Sequence, residues 1–315
     1  MTISILLTTL YGSLGQGLLY APVAIGVFLS LRIMKKPDLT IEGTFAFGAV
    51  IAMTLLHGDD PAHFMVALIV APVGGAVAGL TTGLIHTKLK IDGIISGLLV
   101  TLALFSINLF IMGGSNISAP FDRFIFAPVR EQLTAMGMPS FNALLWSYII
   151  IGAIVLIGVV AILFFLYSTS FGLSIRATGD NEHMACSNGV DTDSRKISAF
   201  IVSNSIIGLA GALVAQQQNG ANINTGTGVL IIGLASLVIG EIITPKSVSL
   251  LTRFIFISLG SFIYFICISM VIATGLLSAD WTRLLTAVFA LGALCIPKLR
   301  QLFSGNLKRR PNDRT

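Results

Sequence analysis

The chain has 315 residues, of which 55% are hydrophobic and only 10% charged, and its mean hydropathy is +0.91. Soluble domains carry about 25% charged residues, so this composition excludes a water-soluble domain and points to lipid as the solvent. The net charge of +5 comes from basic residues scattered through loops and the tail, a distribution that fits membrane orientation and not nucleic-acid binding.

A hydrocarbon core of about 30 Å needs roughly 20 helical residues. Apolar spans are predicted at 5–31, 41–56, 63–83, 93–112, 145–168, 197–216, 228–243, 249–273 and 283–297, about nine crossings within a range of eight to ten. The stretches 41–56 and 228–243 are short and read as tilted, broken or re-entrant. The expected fold is an all-α polytopic bundle with inverted repeats, a single transmembrane domain over 1–315. Within it, 1–112 forms a first repeat, 145–168 a linking span, 171–196 a cytoplasmic loop, 197–297 a second repeat and 298–315 a basic tail. The first basic residue is Arg32, so the charged n-region of a cleavable signal peptide is missing.

Orientation follows from the basic residues of short loops. Arg32, Lys35, Lys36, Lys88, Lys90, Arg176, Arg195, Lys196, Lys246, Arg253 and the tail residues Lys298, Arg300, Lys308, Arg309, Arg310 and Arg314 fall on one side. The opposite loops hold only Arg123, Arg130 and Arg283, beside Asp59, Asp60, Asp122, Glu131 and Asp280. The N-terminus is therefore placed outside and the 171–196 loop inside the cell.

Small residues recur four apart, as Gly75, Gly79 and Gly83 in the third span and as Gly208, Gly211, Ala212 and Ala215 in the sixth. Such ridges let helices approach closely in lipid. The external connection 118–140 mixes Pro120, Pro128, Pro139 and Gly137 with Phe121, Phe124 and Phe126. It reads as a segment lying against the outer surface, either a docking site or a structural lid.

Thr40-x-x-Gly43-x-x-x-x-Gly48 opens the second span, and Thr225-x-x-Gly228-x-x-x-x-Gly233 opens the seventh from the opposite side. Short, glycine-interrupted segments in matching positions of inverted halves point to a translocation path. The candidate pathway residues are Thr40, Glu42, Gly43, Asn204, Gln216, Asn224 and Gly228. Intramembrane polar groups earn such a hypothesis because they are costly, although Glu42 and Glu241 also fit caps near span ends, and a lone amide such as Asn204 also fits an interhelical hydrogen bond.

In the 171–196 loop, Arg176, Gly179, Asp180, Asn181, Ala185 and Gly189 suggest a short helix that a partner protein approaches. Asp180 or Asn181 would cap it, and Gly189 would end it in a left-handed turn. Elsewhere, no phosphate-binding loop, no HExxH or G-x-S-x-G motif and no metal-spaced Cys/His set appears, and Cys186, Cys267 and Cys295 imply neither a metal nor a disulfide framework. No catalytic residue, metal or cofactor is expected.

Pro37-Asp38-Leu39-Thr40-Ile41-Glu42-Gly43, Arg176-Ala177-Thr178-Gly179-Asp180-Asn181, the Ala185-x-x-x-Gly189 element and the 228–241 segment together resemble one family. It is the integral-membrane permease of bacterial ABC importers of the branched-chain amino-acid and ribose type, and the chain is most similar to a branch described as tryptophan or amino-acid uptake permeases. The family loop carries Glu-Ala-Ala-x-x-x-Gly; here His183 and Met184 replace the first two positions, so Ala185 and Gly189 carry the match. The resemblance implies that this loop is the coupling helix for a cytoplasmic ATPase subunit, with Arg176, Gly179, Asp180, Asn181, Ala185 and Gly189 in that role. It further implies an extracytoplasmic substrate-binding protein, a second permease copy, contact with membrane lipid, residence in the bacterial cytoplasmic membrane and import of a small polar solute such as an amino acid. The competing readings are a secondary transporter or channel and, more distantly, a membrane scaffold.

The topology is open to a direct test. In a background lacking the native cysteines, Asp60→Cys reacts with an impermeant thiol reagent from outside and Asn306→Cys only after permeabilisation; the reverse pattern would overturn the orientation.

Overall fold

The computed structural model describes residues 3–57, 64–245, 248–274, 281, 284–292 and 295. Helix α1 (Ile3–Phe28) runs into a π-helical turn at Leu29–Ile33, and α2 (Thr40–Leu56), α3 (Phe64–Lys88) and α4 (Gly93–Met112) follow. A three-residue strand β1 (Asn116–Ser118), a 3-10 turn at Phe121–Arg123 and helix α5 (Ala127–Ala135) precede the long α6 (Ser140–Ser168). Two short helices, α7 (Ser170–Asp180) and α8 (Glu182–Ser187), lead to α9 (Thr192–Gln217). Strand β2 (Gly220–Asn222), α10 (Val229–Ile243) and α11 (Leu250–Ala273) follow, and residues 284–292 are again helical.

Among the described residues, α1, α3, α4, α6, α9 and α11 are long and apolar enough to cross a membrane. The predicted short spans are short in the structure too: α2 has 17 residues and α10 has 15, about 25 and 22 Å against a core of about 30 Å. Each predicted span coincides with helix, although only part of the ninth falls within the described residues. Length and composition by themselves support six crossings and leave α2 and α10 as shorter apolar helices. Asp59, Asp60, Lys246, Asp280, Arg283 and the 298–315 tail lie outside the described residues.

Helix α9 is the axis of the bundle. Phe200, Ser203, Asn204, Ile207, Gly208 and the run from Ala210 to Gln216 are buried, and α3, α2 and α1 pack around it. The glycine ridges make this contact. A Cβ on Gly75 or Gly79 would run into the carbonyl oxygen of Asn204 or Phe200, and one on Gly83 would come within 2.9 Å of the Ile197 Cα. On the other side of α9, a Cβ on Gly211 would meet the Phe45 carbonyl, and one on Gly48 would meet that of Gly208. Lipid supplies no hydrophobic force between helices, so dispersion at this close range is what joins them.

The outer helices turn apolar side chains outward. Ile69, Leu102, Phe110, Ile157 and Phe165 are all well exposed, on α3, α4 and α6, where a hydrocarbon environment receives them. One end of the bundle joins the π-turn to α7, through the Lys35–Asp180 pair at 3.0 Å and the close approach of Gly179 to Ile33 and Met34. The other end carries the antiparallel β1–β2 pair, with Ile117 opposite Ala221.

The 118–140 connection folds down onto that second end. Phe124 and Phe126 are fully buried, Arg123 donates to the Leu56 carbonyl at 3.1 Å, and the Arg130 guanidinium sits 5.0 Å from the Phe121 ring centre. Gln216 accepts from the Ile125 N–H at 2.9 Å. The segment is thus anchored on that end of the bundle, which either reading of it, docking site or lid, allows.

The α3–α9 seam predicts a contrast. Gly79→Leu forces the two backbones apart and costs about 1–3 kcal/mol or more, read as loss of thermal stability and membrane level. Gly158→Leu, at a site with nothing within 4 Å, leaves both near wild type.

Candidate functional site

The start of α2 lies inside the bundle, so its free N–H groups need protein partners. Asp38, only 2% exposed, supplies the first: its Oδ1 accepts from the Thr40 N–H at 2.8 Å. Its other oxygen accepts from Asn204 Nδ2 at 2.8 Å, while Asn204 Oδ1 accepts from the Thr44 hydroxyl at 2.7 Å. Thr40 and Thr82 share a hydroxyl hydrogen bond of 2.7 Å, and Thr101 donates to the Leu39 carbonyl at 2.8 Å. Burial raises the Asp38 pKa above the usual carboxylate value, partly offset by the hydrogen bonds from Thr40 and Asn204. The network ties α2 to α3, α4 and α9.

One turn further, the two glycine-bearing segments meet. Glu42 Oε1 accepts from the Gly228 N–H at 3.0 Å. Gly228 is the N-cap of α10 with φ +83°, a left-handed conformation natural to glycine. Glu42 also lies in the first turn of α2. One carboxylate therefore stands at the N-terminal ends of two helices. A Cβ on Gly226 would press on the Glu42 carbonyl and come within 3.1 Å of the Ala46 Cβ. Beside this contact lies a chamber of about 70 Å3 bordered by Glu42, Thr101, Phe105, Asn108, Gly226 and Thr227. Asn108 is 5% exposed, and its Oδ1 has no hydrogen-bond partner among the described residues.

The seven candidate pathway residues divide. Glu42, Gly43 and Gly228 gather at this junction. Thr40 and Asn204 lie in the adjoining buried network, with their polar atoms engaged. Gln216 is fully buried and holds the 118–140 connection through the Ile125 N–H. Asn224 is exposed and donates its N–H to Asn222 Oδ1 at 2.8 Å. The two matched glycines do different work. A Cβ on Gly43 would come within 2.9 Å of the Thr101 Cα, whereas one at Gly228 would meet open space. Gly43 is there for helix contact and Gly228 for its backbone angle.

The 171–196 loop forms the expected short helix. Asn181 Oδ1 caps α8 by accepting from the Met184 N–H at 3.0 Å. At the other end Gly189 adopts φ +81°, and Val190 N–H returns to the Ala185 carbonyl at 3.1 Å. The facing of the small residues corrects the expectation. Ala185 is buried against the chain itself and Gly179 packs on Ile33 and Met34, so neither small residue is open to a partner. Arg176, Asp180, Asn181 and Gly189 are exposed, and Met184, 65% exposed, is the apolar knob of α8. Lys196, itself 7% exposed, pairs with Glu182 and lies 3.6 Å from Asp193. The Lys196 hydrogen bond holds the Glu182 carboxyl below its usual range; this support for α8 is present at neutral pH and fades as pH falls through the lowered value.

Sequence reasoning gave no site role to Asp38 or Asn108 and missed Thr44, Thr82, Thr101 and Thr227, and the pairing of Arg32 with Glu241, whose Nε–Oε1 distance is 2.7 Å. Asp38 two residues before Thr40 carries a capping signal. The partners of the others come from distant segments and leave no local mark.

The family described as "Branched-chain amino acid transport system / permease component" matches residues 9–294. The chain is 34% identical over 291 residues to a "Tyrosine transport system permease protein" of Clostridioides difficile, covering 90% of each chain. It is 31% identical over 289 residues to an "Autoinducer 2 import system permease protein" of Yersinia pseudotuberculosis, covering 91% of this chain and 74% of the relative. A probable branched-chain amino acid transport permease of Methanocaldococcus jannaschii is 26% identical over 294 residues, covering 83% and 89%. No solved structure matches the chain. With its apolar helical bundle and a family match over nearly its whole length, the chain belongs to the permease components of branched-chain amino acid type ABC transport systems, multi-pass proteins of the inner membrane.

Proposed function

We propose that the chain is the membrane subunit of an importer that brings a small polar solute, an amino acid or a related compound, into the cytoplasm. A separate cytoplasmic ATPase drives it, an extracytoplasmic binding protein delivers the solute, and two permease copies enclose the path. The observation that carries this reading is the α7–α8 element: a short helix capped at both ends, projecting Met184 from the basic end of the bundle. A rigid, exposed apolar knob on a pinned helix suits docking to another protein. In this reading Asn181, Ala185 and Gly189 set the shape of α8. Gly179 and Asp180 fix α7 to the π-turn that leads into α2, so that movement of the ATPase reaches the α2 start, and Arg176 lies on the same face of the assembly.

The solute path runs beside the junction of α2 and α10, with Glu42, Asn108 and Thr227 as its polar lining and Thr40, Asn204, Gln216, Asn224 and Gly43 holding the walls. The first and second repeats relate as inverted halves, with α2 and α10 in matching positions. Broken helices whose N-termini converge within the membrane are a recurring architecture of solute sites. Here Glu42 already satisfies those N-termini, so its remaining oxygen suits a cationic group such as the ammonium of an amino acid. The relative named for tyrosine transport supports the amino-acid class.

Two measurements test this. Gly189→Leu forces a branched side chain into a left-handed turn at a cost of about 1–2 kcal/mol. Insertion stays normal, while uptake and the ATPase response to loaded binding protein are lost; Gly189→Asn, which tolerates that backbone, keeps both. Wild-type coupling in Gly189→Leu, or uptake driven by an ion gradient without an ATPase, would overturn the importer reading.

Thr227→Trp tests the path. It fills the chamber from an exposed position, so uptake falls sharply while ATPase assembly and membrane level persist. Gly43→Val, by contrast, loses stability by about 1–3 kcal/mol through overpacking on α4. Normal uptake in Thr227→Trp would move the path elsewhere.

A further inference from the structure

At the basic end of the bundle a pocket of about 210 Å3 lies between the π-turn, α7 and the start of α11. Arg32, Arg176 and Arg253 line it together with Phe28 and Leu250. Arg32 is neutralised by Glu241, and Asp180, on the same wall, is taken by Lys35. Arg176 and Arg253 have no carboxylate partner among the described residues. Two guanidiniums therefore border one opening, beside Phe28 and Leu250, with no carboxylate partner of their own among the described residues. Ser249 caps the α11 N-terminus by accepting from the Thr252 N–H at 3.3 Å, so the helix end itself is already satisfied.

Next to this pocket in the fold is a second feature. Between α1, α6 and α11 runs a cleft of about 390 Å3, bordered by Leu156, Val160, Ala161, Leu251, Ile255 and Leu259 among others and almost wholly apolar. Leu251 of the cleft follows directly on Leu250 of the basic pocket. Both features lie between the same three parts of the chain: α1 with its π-turn, α6 with the adjoining α7, and α11.

We propose that this pair of features is a binding site for an anionic glycerophospholipid of the cytoplasmic leaflet. Arg176 and Arg253 hold the headgroup phosphate, and an acyl chain lies in the α1–α6–α11 cleft. Guanidinium matches phosphate with paired N–H donors, and basic pockets at the cytoplasmic ends of membrane helices select anionic headgroups. The charge argues for an anionic lipid over a zwitterionic one, because two uncompensated cations gain little from a headgroup that carries its own ammonium. The cleft argues for a lipid over a free anion, since inorganic phosphate has nothing to place there. The site lies away from the chamber at the α2–α10 junction but shares Arg176 and Asp180 with the α7 surface, so its cytoplasmic side rests on the importer reading, whereas lipid binding to the purified chain is read without transport or an ATPase.

The test uses the full chain, purified in mild detergent and stripped of lipid, with binding read by native mass spectrometry and by thermal shift. Phosphatidylglycerol is expected to bind and to raise the melting temperature; phosphatidylethanolamine and inorganic phosphate are expected to do neither. Arg176→Gln/Arg253→Gln weakens phosphatidylglycerol binding roughly thirtyfold, at about tenfold per 1.4 kcal/mol and about 1 kcal/mol per arginine. Ala161→Phe, which fills the cleft from an exposed position without touching the charges, also weakens it, and so decides the matter even if the double variant does not fold. Equal binding of phosphatidylethanolamine, equal stabilisation by inorganic phosphate, or undiminished phosphatidylglycerol binding in Ala161→Phe would each overturn the proposal.

Discussion

The contact between Asp38 and Asn204 is the constraint on which the rest of the bundle depends. Helix α2 begins where no water can satisfy its first N–H groups, and a buried carboxylate without a cation is tolerated only when it is fully hydrogen-bonded. Asn204 provides that bond and takes another from Thr44. It can do so only because α9 runs nearly backbone to backbone against α3 and α2. The glycines that allow this approach, Gly75, Gly79, Gly48 and Gly211, and the polar network are thus one device: removing a partner from a buried hydrogen bond costs about 1–3 kcal/mol, and a separation of the helices removes several at once.

From that anchor the geometry of the junction follows. With the α2 start fixed, Glu42 is positioned in its first turn and reaches the N-cap of α10. The segment between β2 and α10 must descend into the bundle to deliver Gly228 there, which is why α10 is shorter than a full span. The loop from Met34 to Leu39 connects this junction to the α7 surface, through Lys35 and Asp180 on one side and the Gly179 contact with Met34 on the other. The chain thus has a continuous packed route from α8 to the polar chamber.

The electrostatics of the two ends differ in kind. At the end that carries β1 and β2, Arg123 meets a carbonyl and Arg130 an aromatic ring, pinning a segment whose Phe124 and Phe126 are buried in the bundle. At the end that carries α7 and α8, Arg32, Lys35 and Lys196 each meet a carboxylate, while Arg176 and Arg253 have none among the described residues. The basic residues at that end are thus divided between those with a carboxylate partner and those without one among the described residues.

Much of this was legible in the sequence, because the properties concerned are local. Low charge and long apolar runs dictate a membrane bundle, glycines four apart dictate a ridge wherever they lie on a helix, and Asn181 and Gly189 dictate the ends of α8 by capping chemistry alone. The shortness of α2 and α10 could likewise be counted. What the sequence did not determine is which face each small or polar residue turns to which neighbour. Ala185 and Gly179 look like openings for a partner, yet they pack inward, because a small residue permits close approach without specifying what approaches. Gly43 and Gly228 match in spacing but differ in use, one for contact with Thr101 and one for a left-handed backbone. Asn204 and Gln216 read as path-lining amides and prove to be engaged in buried hydrogen bonds, since an amide's role is set by what lies opposite it. Those partners, Asp38, Thr44 and the backbone of Ile125, are brought together across 166, 160 and 91 residues of chain, and only the tertiary fold decides such meetings.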